Sequence, residues 1–185
     1  MRGRGLVGLL IAASAAAQTP PPAQPPQAAP APPPPPACAG AEHGQFDFWV
    51  GRWDVYPARS TSLTAHSLIE KLHGGCVIRE TWMPLQGGGG GSLNHFDRAE
   101  GRWHQTWIGS TNDRVEFKGG LVDGKMVLTG FWKNANGPGK DGLVRMTYSQ
   151  LGGGEVRQFG EISTDHGLSW STFFDLTYKP SAAAK

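Results

Sequence analysis

From residue 51 onward the chain runs as short segments of alternating apolar and polar residues between turn-forming residues, with no helical period. This pattern constrains the fold more than any other feature. Period two sends alternate side chains to opposite faces of a sheet, and tight turns make each strand the antiparallel neighbour of the last. The segments are 51–57, 63–72, 77–83, 92–98, 102–108, 114–121, 125–132, 143–151, 155–163 and 169–178. Ala99-Glu100-Gly101 and Val122-Asp123-Gly124 read as hairpin turns, and the Asp-Gly pair is the stronger signal. The tract Gly87 to Gly91 reads as a loop ahead of the fourth strand. Ten meandering strands expose two edges unless the sheet closes. The expectation is therefore all-β: an antiparallel up-and-down meander closed into a barrel of about ten strands over residues 38–185. A β-sandwich is the alternative.

The N-terminal segment reads differently. Arg2 and Arg4 precede an apolar run from Leu6 to Ala13 that is too short to span a bilayer, and Ala15-Ala16-Ala17 supplies small residues for signal cleavage. Residues 1–17 are expected to be a signal peptide, which implies a periplasmic or secreted protein with no transmembrane segment after cleavage. Residues 18–37 are almost entirely Pro, Ala and Gln, the composition of an extended spacer. Of 17 basic residues, Arg2 and Arg4 leave with the signal, so 15 remain against 15 acidic ones. No basic stripe stands out, and nucleic acid is not an expected partner. Two cysteines, Cys38 and Cys76, in an exported chain point to one disulfide. Neither has the close Cys or His spacing of a zinc site.

FDFWVGRWDVY, residues 46–56, places five aromatic residues in eleven. Its Gly51-Arg52-Trp53, with Phe46, Phe48 and Trp49 just before, resembles the start of lipocalins and related calycin barrels. That resemblance implies a short helical cap on one barrel end and a tryptophan across the floor. Ten strands are closer to the fatty-acid-binding and nitrobindin-like barrels than to eight-stranded lipocalins. The lipocalin arginine that covers the tryptophan has no counterpart on the last strand, leaving Arg157 or Arg145 for that role. FDFWVGRWDV, GGCVIRETW, GGSLNHFD, RWHQTW and VRQFGEISTDHGLSW together resemble blocks of an exported bacterial family of unknown function, which implies no activity. A glycine at 160, where an aromatic residue is expected in relatives, either opens interior space or kinks the strand.

Ser163-Thr164-Asp165-His166-Gly167-Leu168-Ser169-Trp170 fits the Asp-box turn, with Asp165 accepting backbone N–H groups and Trp170 folded over the hairpin. No phosphate loop, nucleophile elbow or zinc-protease motif is present. Strand alternation puts Ile78, Glu80 and Trp82 on one face, Trp103, Gln105 and Trp107 on another, and Arg157, Phe159 and Glu161 on a third. If these faces line the barrel, a few polar groups sit in an aromatic wall, the make-up of a small-molecule site. The candidate ligand-binding residues are thus Trp53, Glu80, Trp82, Trp103, Gln105, Trp107, Arg157 and Glu161, for a small apolar or amphipathic ligand. Alternatives are an internal ion pair of Arg157 with Glu80 or Glu161, a hydrolase-like envelope enzyme using Glu80 and Glu161 or a histidine in the same cavity, and a filled barrel serving as an interaction module. No cofactor is expected. Haem is the one alternative, because nitrobindin-like barrels bind it through histidine, and six histidines are available (His43, His66, His73, His95, His104 and His166).

Overall fold

The computed structural model describes residues 37–181. The expected signal segment, and the spacer apart from Ala37, lie outside the described residues. Ten antiparallel strands follow one another: β1 (Gly51–Pro57), β2 (Ala65–Leu72), β3 (Val77–Pro84), β4 (Gly90–Asp97), β5 (Arg102–Gly109), β6 (Arg114–Val122), β7 (Lys125–Trp132), β8 (Gly142–Gln150), β9 (Val156–Ser163) and β10 (Ser171–Pro180). Each pairs with its sequence neighbours, and β1 pairs with β10, so the meander closes into a barrel. Closure removes both edges, which is why the barrel and not the sandwich forms.

Local chemistry sets the turns. Asp123 and Gly124 both take positive φ, 50° and 75°, the two-residue hairpin that matches the twist of β6 and β7. In the Asp-box turn, Ser169 N–H donates to Asp165 Oδ1 at 2.9 Å, and Gly167 N–H donates to Ser163 Oγ at 2.8 Å. Trp170 Nε1 closes the turn on the Gly167 carbonyl at 3.2 Å. Bonds to the Asp165 carboxylate from the Ser169 hydroxyl and N–H, and then from the Ser163 hydroxyl, hold it well below the usual carboxylate range.

The glycine tract differs from the loop expected of it. Gly90 and Gly91 are the first residues of β4, and they are glycines because the barrel wall is crowded there. A Cβ on Gly90 would lie 2.6 Å from the Trp107 ring and 2.8 Å from the Ile108 carbonyl oxygen.

One barrel end is plugged. Two 3-10 turns, Ala41–Gly44 and Asp47–Trp49, carry Phe46 and Trp49 into the interior, where both are fully buried. Their rings stack at 4.9 Å, and each also lies 4.9 Å from the Tyr148 ring. Trp53 packs beneath them and donates from Nε1 to the Trp49 carbonyl at 2.9 Å. Trp103 donates to Gln45 Oε1 at 3.1 Å. The Cys38–Cys76 disulfide ties the start of this plug to the β2–β3 turn. Lys71 fastens it again, pairing with Asp47 and donating to the His43 carbonyl.

Candidate functional site

Above the plug the interior is open. A cavity of about 260 Å³ reaches Glu80 and Gln105 at depth, with Trp82, Trp107, Trp132 and Phe174 towards the unplugged end. Those four rings are half-buried, while Glu80, Gln105, Tyr148 and Tyr178 are buried, so the rings form the mouth and the polar groups the base. Asp113 Oδ2 accepts the Trp107 indole N–H at 3.2 Å and fixes that ring. Phe174 owes its place to Gly160: a Cβ there would lie 2.5 Å from the tip of the ring. The glycine therefore opens space that a neighbouring ring fills. A bulge between Thr172 and Phe174 re-aims β10 at this point.

At the cavity base, polar side chains from several strands form one continuous line. Ser92, opposite Glu80 in the β3–β4 register, donates to Glu80 Oε2 at 2.9 Å. Asn94 Nδ2 donates to Ser92 Oγ at 3.1 Å and to the Ile78 carbonyl. Gln105 Nε2 donates to Asn94 Oδ1 at 2.7 Å and reaches Tyr148 Oη at 3.5 Å. Gln158 Nε2 donates to Tyr148 Oη at 2.9 Å, and Tyr178 Oη donates to Gln158 Oε1 at 2.7 Å. A buried line of this kind holds its side chains in place because each lost bond leaves a polar group dry.

Glu80 is the anomaly in it. No lysine, arginine or histidine among the described residues forms an ion pair with it. Burial pushes its carboxyl up to about 7, against the opposing pull of the Ser92 hydroxyl. Ser67, facing it from β2, also lowers it, yet the Ser67 hydroxyl completes no hydrogen bond of full geometry. The phenols of Tyr148 and Tyr178 are raised above their ordinary value, by burial first and by the nearby Glu80 second. Both stay protonated donors at any physiological pH.

Of the eight residues singled out in the sequence, Glu80, Trp82, Gln105 and Trp107 meet at the cavity. Trp53 and Trp103 point inward but belong to the floor and plug. Arg157 and Glu161 require correction: they lie on the outer face of β9. Arg157 pairs with Asp175 at 2.7 Å and covers the Phe159 ring, and Glu161 pairs with Arg145 at 2.9 Å. The inward face of β9 is Val156, Gln158, Gly160 and Ile162. Glu80 and Glu161 thus stand on opposite sides of the barrel wall, which removes the carboxylate pair on which a hydrolase reading rested. Neither arginine expected to cover Trp53 does so: Arg145 lies over Trp170 at 4.1 Å and Arg157 over Phe159.

Sequence reasoning missed Phe117, Trp132, Met146, Tyr148, Gln158, Phe174 and Tyr178, all of which line the cavity. For Gln158 the signal was available: its β9 face carries Val156 and Ile162, and the Arg157 face carries two charges.

The six histidines lie away from this cavity. His43 is buried in the plug against Phe96, and His95 and His104 face each other across β4 and β5, their rings 5.3 Å apart on the outer face.

No family model matches this chain, and no curated protein does. The closed ten-strand antiparallel barrel agrees with the calycin-like expectation. The resemblance to an exported bacterial family has no support beyond the sequence blocks themselves.

Proposed function

We propose that this protein is an exported carrier or receptor that binds a small, partly apolar ligand inside the barrel without transforming it. The observation that carries the reading is the cavity itself, a space of about 260 Å³ walled by aromatic rings and ended by ordered polar groups. An apolar cavity of roughly 150 Å³ holds benzene. The space here suits a molecule of one or two rings and is small for a tetrapyrrole. A barrel filled solely for stability would carry side chains there. Export is supported by the signal-like residues 1–17 and by the Cys38–Cys76 disulfide, which persists in oxidising compartments. No helix among the described residues is long and apolar enough to cross a membrane.

Native mass spectrometry of the protein isolated from periplasm or medium tests the reading. Extra mass that vanishes on denaturation, or a mass gained on incubation with small aromatic compounds, is the expected result. A bare mass under both conditions counts against it.

A further inference from the structure

We infer that the cavity selects a small organic cation, an aromatic or apolar amine whose ammonium group pairs with Glu80 while its body lies among Trp82, Trp107 and Phe174. This rests on the small-molecule reading above and narrows its ligand class.

Three observations carry it. First, Glu80 is the sole carboxylate on the cavity wall among the described residues, and no lysine, arginine or histidine lines it. An anionic ligand would meet a carboxylate and ring faces with nothing to neutralise it. Second, the neighbouring amides and phenols are engaged with one another, whereas Glu80 takes one bond, from Ser92 to Oε2. Among the described residues, no hydrogen bond reaches its Oε1. A buried carboxylate held without a counter-charge is costly, and a cation entering the cavity removes that cost. Third, the rest of the wall is rich in rings, with Phe117, Trp132, Tyr148 and Tyr178 joining the three already named. Aromatic faces attract cations through their quadrupoles, most strongly where water is excluded. A carboxylate at the base of an aromatic box is the chemistry of ammonium recognition.

The groups facing Glu80 are the Ser67 and Ser92 hydroxyls from β2 and β4 and the Tyr148 and Tyr178 phenols from β8 and β10. None of these changes charge between pH 5 and 8. A cation and a proton therefore compete for the same carboxyl. Amine affinity falls as pH drops below about 7, approaching tenfold per pH unit.

The test uses three probes that share a phenylethyl body, 2-phenylethylamine, 2-phenylethanol and 3-phenylpropionate, followed by tryptophan fluorescence and calorimetry at pH 5 to 8. The expected result is amine binding at least tenfold tighter than the alcohol at pH 8, no measurable carboxylate binding, and a preference that disappears at pH 5. Glu80→Gln removes that preference while the alcohol still binds. The pH profile of the unaltered protein stands by itself if the variant fails to fold. Alcohol binding equal to amine binding at pH 8 overturns the cation inference and leaves the small-molecule reading intact. Silence from all three probes at millimolar concentration overturns both.

Discussion

Glu80 carries an ionisable group into the barrel interior, where its charged form is disfavoured, and this has a calculable effect on stability. Its carboxyl titrates near 7 in the folded protein, against an ordinary value of 4.5. Between those values the folded state holds a proton that the unfolded state has released, so stability falls as pH rises and levels off above about 7. The full difference is about 3 kcal/mol, since moving a titration midpoint tenfold in proton concentration costs about 1.36 kcal/mol. Thermal unfolding of the ligand-free protein should show a lower Tm at pH 8 than at pH 5 from this group. Glu80→Gln should flatten that part of the profile and raise Tm at pH 8 by several degrees. A profile identical in both proteins would show that Glu80 is not the group responsible. Gly90 is a second single-residue test. A methyl group there meets the Ile108 backbone oxygen as well as the Trp107 ring, and a backbone atom cannot swing aside. Gly90→Ala should cost roughly 1–3 kcal/mol in urea unfolding, the usual cost of overpacking.

At the scale of elements, the plug is held by packing, by Lys71 and by the disulfide. The Cys38–Cys76 bridge closes a loop of 38 residues that includes β1 and β2. The chain-entropy model gives about 4 kcal/mol for such a closure. Replacing both cysteines with serine should lower unfolding stability by about that amount, measured by denaturant titration, while the strand signature in circular dichroism is kept. How far the elements were legible follows from their physics. β1 and β7 match their expected bounds of 51–57 and 125–132, because both alternate cleanly between turn residues. The start of β4 was not legible, because Gly90 and Gly91 look like loop residues until the Trp107 ring beside them is seen. The candidate site was half legible for a related reason. Alternation shows which residues share a face but not which face is inside. On β3 and β5 apolar neighbours decide it, whereas on β9 the single ring of Phe159 suggested the wrong side. Phe159 lies instead under the Arg157 guanidinium, on the outer surface.

At the scale of the whole molecule, every strand has two partners, and the last closes on the first through Trp53–Pro180 and Val55–Tyr178. Removing residues 171–185 would open two edges and take Phe174, Leu176 and Tyr178 from the cavity wall. That truncation should yield insoluble protein or a species lacking near-ultraviolet dichroism, checked by solubility and spectroscopy beside the full chain. The closing strands also fix where the described chain begins and ends. Cys38 is bound to the β2–β3 turn, and Ser181 donates its backbone N–H to the Arg52 carbonyl, so both lie at the plugged end. Trp107, Trp132 and Phe174 surround the mouth at the other. A fluorophore, an affinity handle or a solid support attached at Ala37 or Ser181 would thus leave the entrance unobstructed, and the barrel could be mounted as a sensor without redesign.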